Sequence, residues 1–445
     1  MEPIIFHIDV NSAFLSWTAL ERLEQGEMID LREIPSIIGG DQQKRHGVVL
    51  AKSTPAKKFG IRTGEPIVNA LKKCPSLTLA SPNHIMYKDR SRKLMEYLSS
   101  ICPEIEQVSI DECYMDFSPI AHRYENCIVA ANEIKNSIRE KFHFTVNIGI
   151  SNRKVLAKMA SDFQKPDLVH TLFSYEIEKK MWPLTVDNLF MCGSSSVDTL
   201  RKLEIITIGD LAKANPDILA SHLKSHGITL WEFANGLDTS KVETVPAQAK
   251  GIGNSTTVSH DITEAEEAHK VLMQLAESVG SRLRKEKQLA GMISCEIKYN
   301  TFQSVSHQTT LSAPTDSTTL IYETARYLFK ELWNGTPIRL LGIRTSKLCD
   351  PSEPVQLSLF DMMPLETTAP TSSRHNNPLS GKFTSTFDNF MSYNSGIGNW
   401  EDLSVSLSRK EKQEKLDKAL DHIKNKYGKN AIIRGSLLPV NTEKN

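Results

Sequence analysis

At 445 residues the chain is too long for one hydrophobic core, and two to four domains are expected. Lys+Arg and Asp+Glu both total 53, so net charge neither points to nor excludes nucleic acid, and local clusters must carry that argument. Hydrophobic residues make up 40%, yet no apolar run approaches the roughly 20 residues that span a bilayer; the start MEPIIFHIDV also lacks the pattern of a signal peptide, so a cytoplasmic protein with no membrane partner is expected. Seven scattered cysteines without C-x-x-C spacing argue against a zinc site or a disulfide framework.

Taken in order, residues 4–8 (IIFHI) read as a buried strand that runs into Asp9. The period then changes to that of a helix, with Asn11 or Ser12 as cap and Phe14 in the first turn; by itself Phe14 reads as a buried staple. Two short strands, 37–41 and 47–51, flank a loop carrying Lys44, Arg45 and His46. Residues 53–60 read as a short helix with Thr54 as cap, Pro55 at the first helical position and Gly60 as stop. Lys57 and Lys58 on it are either available for phosphates or simply solvated. An amphipathic helix over 87–101 leads into VSIDECYMDF at 108–117.

That stretch predicts a hairpin with Asp111 and Glu112 at or near its bend. An acidic pair in a turn is usually just solvated. A second strand ending in a carboxylate, at Asp9, changes the balance: if the two strands are neighbours, Asp9, Asp111 and Glu112 form an oxygen-rich site suited to Mg²⁺. A helix over 128–142, a strand over 145–150 and a helix over 155–162 ending at Lys165-Pro166 complete an α+β domain, with helices on one face of a mostly antiparallel sheet.

From about 185 the chain reads as short helices at 197–203, 208–212 and 218–233. From about 251 it reads as helices 265–285 and 318–333 over strands 291–299, 304–311 and 338–348, two helices on a four-stranded sheet. Arg282, Arg284, Lys285 and Lys287 make a basic, phosphate-facing edge. Residues 351–405 are polar and aperiodic, hence expected to be disordered, apart from the apolar peptide Gln356, Leu357, Ser358, Leu359, Phe360, which reads as a docking peptide. Residues 409–434 carry nine Lys/Arg against four Asp/Glu with an apolar stripe at Leu416, Ala419, Leu420, Ile423 and Tyr427. They predict a DNA-contacting, domain-docking or merely solvated helix.

The chain resembles the Y-family translesion DNA polymerases, most closely the bacterial DNA polymerase IV branch. The resemblance spans residues 4–360 and rests on IIFHIDVNSAF, AKSTPAKKFGIRTGEPI, VSIDECYMDF, VNIGISNRKVLAKMASDFQKP, a helix-hairpin-helix-like stretch ending in ITIGDLA, KGIGNSTT and QLSLF, in that order. It implies an α+β multidomain, right-hand polymerase. Its palm would be 1–10 and 84–174, fingers 11–83, a helical thumb 175–242 and an α+β little finger 250–350. A flexible linker at 351–405 would carry a clamp-binding peptide at 356–360, ahead of a basic C-terminal helix at 406–445. It implies error-prone, distributive, clamp-assisted synthesis past damaged bases by two-metal nucleotidyl transfer, with two Mg²⁺ per site and no proofreading exonuclease. The expected partners are primer-template DNA, deoxynucleoside triphosphates and the sliding clamp, and the expected state is a monomer.

Carried over, Asp9, Asp111, the Val10 carbonyl and Glu112 match the metal-binding and catalytic groups, and Phe14 the steric gate. Thr54, Lys57 and Lys165 match triphosphate contacts. Gly193, Arg282 and Arg284 are expected at DNA, and Gln356, Leu357, Leu359 and Phe360 at the clamp. Many relatives have Tyr and Arg where Thr54 and Lys57 stand, and two thumb glycines where this chain keeps only Gly193. Two alternatives remain at this level: a catalytically silent accessory factor, and a polymerase V-like subunit active only with a partner.

Overall fold

The computed structural model describes residues 2–40, 47–352, 400–428 and 431–435, with the backbone alone over 400–411. The clamp-peptide residues Gln356, Leu357, Leu359 and Phe360, nearly all of the expected linker, and the loop residues Lys44, Arg45 and His46 lie outside the described residues. The chain divides into two compact units, Met1–Ala247 and Gln248–Asn445. Among the described residues no helix is long and apolar enough to cross a membrane, and the cysteines are free.

In the first unit, strand β1 (Ile5–Val10) leads into α1 (Ala13–Glu24), then β2 (Ser36–Gly39), β3 (Val49–Lys52), α2 (Thr54–Lys58), α3 (Ile67–Lys73) and β4 (Thr78–Ala80). The strands β3-β2-β4 form a small sheet, antiparallel between β2 and β3 and parallel between β2 and β4. After α4 (His84–Ile101) come β5 (Ile105–Gln107), β6 (Glu112–Asp116), α5 (Cys127–Phe142), β7 (Val146–Ser151), α6 (Lys154–Asp162) and β8 (Val169–Thr171). Their sheet has the order β5-β6-β1-β7-β8, antiparallel except for β7 with β8.

The strand period of two divides this sheet cleanly. Phe6, Ile8 and Val10, with Cys113, Met115, Val146, Ile148 and Ile150, join the core formed with α4 and α5. Ile5, His7 and Asp9 therefore point to the opposite face, where Ile5 and Tyr114 pack with Ala157 of α6. The expectation of helices on a single face is thus corrected: α6 covers the second face, and β1 is buried along its whole length. Gly149 makes this possible, since a Cβ there would lie 2.0 Å from the Ala157 carbonyl oxygen and 2.4 Å from the Ser161 nitrogen.

Two local readings also change. The cap of α2 is Ser53, not Thr54: Ser53 Oγ accepts the Ala56 N–H at 3.1 Å and donates to the Ile34 carbonyl at 2.7 Å, which anchors the helix start one residue earlier. Ser12 precedes α1 in a left-handed conformation, φ 49°, without a side-chain cap, and Asn11 spends its side chain elsewhere.

The remaining helices of this unit are α7 (Ile177–Lys180), α8 (Ser194–Lys202), α9 (Ile208–Lys213), α10 (Pro216–Leu223) and α11 (Ser225–Ala234). They share a core that includes Val155, Leu156 and Met159 of α6. The single helix expected over 218–233 is two. Lys224, at φ 58° and ψ −144°, breaks it.

The second unit contains β9 (Gly251–Ile262), α12 (Ala265–Lys285), β10 (Leu289–Tyr299), β11 (Ser304–Thr315), α13 (Thr318–Leu332), β12 (Ile338–Cys349) and α14 (Trp400–Tyr427). Its antiparallel sheet has the order β11-β10-β12-β9, and α12 and α13 bury their apolar stripes against it, as their periodicity predicts. A broad polar hollow is lined by Ser255, Ser294, Glu296, Ser306 and Arg344 of the sheet, and by Arg282.

Arg284 corrects the expectation of a DNA contact. It is nearly buried, with Nε donating to Asp421 Oδ2 at 2.6 Å and Nη1 standing 3.6 Å from Asp417 Oδ2. Helix α14 docks through these acids, while of its apolar stripe Leu416, Ala419 and Tyr427 are exposed and Leu420 and Ile423 half-buried. Asp417 is buried, pairs with Arg434 at 3.2 Å, and accepts the Thr318 N–H at 3.1 Å. It thereby caps α13, whose own Ser317 makes no side-chain cap.

Candidate active site

The site lies in the first unit, at the end of β1. Asp9 and Glu112 are direct partners across β1 and β6, and the Val10 N–H donates to the Asp111 carbonyl at 3.0 Å. The bend before β6 is built by Ser109, whose Oγ accepts the N–H groups of Asp111 and Glu112 at 3.2 and 3.1 Å and donates to Asp111 Oδ1 at 2.7 Å. The three acids separated by about a hundred residues of chain thus line one cavity of about 380 Å³.

Cations answer the acids unevenly. Lys165 Nζ lies 3.0 Å from Asp9 Oδ2 and 3.0 Å from Asp162 Oδ1. Lys158 lies 3.4 Å from Asp9 Oδ2, 3.2 Å from Glu112 Oε2 and 3.3 Å from Asp162 Oδ2. Burial works against both ammonium groups, but the carboxylates outweigh it and raise their pKa values. His7 Nε2 stands 3.3 Å from Glu112 Oε2, off the line of a hydrogen bond, while Nδ1 meets Ser161 Oγ at 2.8 Å. The adjacent imidazole, then Lys158 at 3.2 Å, hold the Glu112 carboxyl below the usual carboxylate range against burial, while burial keeps the imidazole's own pKa down. Among the described residues Asp111 has no such cation; burial, then the charges of Asp9 and Glu112, push its pKa up.

Asp9, Asp111 and Glu112 present only oxygen donors to the cavity, with Lys158 and Lys165 beside two of them. That set fits a hard divalent cation. Among the described residues, no three His, Cys, Asp or Glu side chains already close around one metal position: Asp9 and Glu112 lean on lysines, and Asp111 on Ser109.

The cavity rim carries the other expected residues. Phe14 stacks on the buried Tyr87 ring, with centroids 4.6 Å apart. Thr18 Oγ1 donates to the Phe14 carbonyl and meets the Tyr87 hydroxyl, both at 2.7 Å, so the ring is held rather than free. Thr54 and Lys57 line the far wall. Gly193 is exposed at the start of α8, and its N–H is taken by the Met191 carbonyl at 3.1 Å.

Several contributors escaped sequence reasoning. Lys52 lines the cavity, and burial, then Lys57, pull its pKa down; its place inside the quoted AKSTPAKKF motif was the available signal. Asn11 Nδ2 donates to Asn147 Oδ1 at 3.1 Å, and its Oδ1 accepts the Asp167 N–H at 2.9 Å. Asn147 in turn donates to the Ser161 and Gln164 carbonyls, which fixes the segment that carries Lys165.

Residues 8–162 match the family model described as the impB/mucB/samB family, and residues 249–359 that of its C-terminal domain. The chain is 43% identical over 438 residues to a DNA polymerase IV of Clostridium acetobutylicum, covering 98% of this chain and 99% of the relative. It is 33% identical to a DNA polymerase IV of Alkaliphilus oremlandii, covering 98% and 100%. A solved Y-family DNA polymerase chimera superposes with a TM-score of 0.68 over 78% of this chain and 99% of its own, at 21% identity, a likeness of fold.

Proposed function

Since the chain belongs to the Y family of DNA polymerases, in the DNA polymerase IV branch, and is a DNA-directed DNA polymerase of translesion synthesis, we propose that it works by two-metal nucleotidyl transfer at the cavity of Asp9, Asp111 and Glu112. Dependence on a divalent metal and on primer-template DNA and deoxynucleoside triphosphates comes with the family. That the metal is Mg²⁺, with two ions per site, is the reading favoured by the oxygen donors of the three acids. The observation that carries it is the convergence of the three acids on one cavity.

Asp9, Asp111 and the Val10 carbonyl would hold the ions, and Glu112 would complete the set. A divalent metal held there would supply the lowering of the primer hydroxyl's pKa and the neutralisation of charge on the departing pyrophosphate. Lys165 and Lys57, with Thr54 and Lys52, bind and orient the triphosphate by charge without covalent chemistry. Phe14, pinned against Tyr87, fills the space a ribose 2′-hydroxyl would need. Gly193 and Arg282 contact the DNA backbone; Arg284 is withdrawn from that role by its carboxylate partners.

In this reading residues 1–10 and 84–174 are the palm, 11–83 the fingers, 175–242 the thumb and 250–350 the little finger. Gln356, Leu357, Leu359 and Phe360 dock on the sliding clamp. Synthesis is distributive without the clamp, proofreading is absent, and the enzyme is a monomer. The test is primer extension by Asp111→Asn and Glu112→Gln, each expected to lose extension while still binding primer-template DNA. Wild-type extension by either variant would remove that carboxylate from the mechanism.

A further inference from the structure

Lys158 has no part in the reading above, yet it is the most enclosed cation of the site, its side chain only 11% exposed. Unlike Lys165, it is absent from the cavity wall. It reaches the acids from a helix pressed against β7 at Gly149. Asp9 and Glu112 face each other across two antiparallel strands, a position where like charges destabilise the pair. Its ammonium lies within 3.4 Å of both.

We propose that Lys158 is a built-in counter-cation that holds Asp9 and Glu112 together before metal binds and competes with the metal for their oxygens. This rests on the reading of those two acids as metal ligands. The ammonium touches Oδ2 of Asp9 and Oε2 of Glu112, atoms an incoming ion would share or take. Asp162, one helical turn away at 3.3 Å and half exposed, is its fallback partner when the ion arrives. A divalent ion therefore enters a site already partly neutralised. Its affinity is set low until nucleotide phosphates add further ligands.

The test is Mn²⁺ binding to the full chain, free of DNA and nucleotide, followed by the loss of the free-ion paramagnetic resonance signal. Lys158→Met keeps the stem and deletes the charge. It is expected to bind Mn²⁺ on the order of tenfold more tightly than wild type, and to melt at lower temperature in chelator, with the gap narrowing as Mn²⁺ is added. A lysine that serves packing alone would give the lower melting temperature with unchanged or weaker affinity, and that result overturns the proposal. Should Lys158→Met fail to fold, Lys158→Gln keeps a hydrogen-bond donor without the charge and should likewise tighten Mn²⁺ binding; unchanged or weaker binding is the contrary result. Asp9→Asn separates the two levels. If it leaves Mn²⁺ binding intact, the metal-site reading itself fails; if it abolishes binding while Lys158→Met does not tighten it, only the role of Lys158 fails.

Discussion

Gly149→Ala should damage catalysis without touching any group that meets substrate. Gly149 lies on β7 opposite His7 of β1, on the sheet face covered by α6. The added methyl would stand 2.0 Å from the Ala157 carbonyl oxygen, 2.4 Å from the Ser161 nitrogen and 3.0 Å from the Ala160 Cβ. None of these is the end of a flexible side chain. Ordinary contact begins near 3.4 Å, so helix and strand must part by up to about 1.4 Å, an overpacking that costs roughly 1–3 kcal/mol. Lys158 rides on that helix between Ala157 and Ser161, and its 3.2 and 3.4 Å contacts with Glu112 and Asp9 would open together. The segment leading to Lys165 moves with it. A misplacement of about 1 Å around reacting groups costs on the order of 10²-fold in rate. Single-nucleotide insertion measured beside urea unfolding should therefore give a folded protein with a lower midpoint and a kcat/KM reduced about a hundredfold. Wild-type kcat/KM in the variant would refute the claim that the close approach of α6 sets the site geometry.

Phe14→Ala should admit ribonucleotides, because the ring stacked on Tyr87 is removed; unchanged sugar selectivity would assign the gate to another residue. Asp417→Ala should leave the buried Thr318 N–H without its acceptor and take one of two carboxylates from each of Arg284 and Arg434, which keep Asp421 and Glu277, at about 1–3 kcal/mol. The expected readout is faster hydrogen exchange over 412–427 and at the start of α13, and equal protection would contradict the docking described. Deleting 356–360 should spare basal extension and cost clamp stimulation, whereas equal clamp affinity with and without the peptide would place the contact elsewhere.

How much was legible follows from what each feature depends on. Helix α12 was expected at 265–285, its observed range, because amphipathic period and length are local properties. The carboxylates at strand ends, the aromatic residue in the first helical turn, and the order of the motifs are written in the residues themselves. Local too was the apolar run of β1, which reads as a buried strand and is buried along its whole length.

What the chain order could not express was partnership. Helix α6 supplies Lys158 and Ser161 to a strand some 150 positions earlier, and the pairing exists only because β1 lies between β6 and β7. Arg284 reads as one more base in a basic run, and only the return of α14 turns it inward. Ser53 displaces Thr54 as cap through bonds to Ser36 of β2 and to Ile34 in the bend before it. Residue type and spacing determine which groups are carried and on what element, since φ/ψ preference and apolar period act over a few residues; which charge answers which is decided by contacts far apart in the chain, because electrostatic and packing energies depend on distance in space and not on distance in sequence.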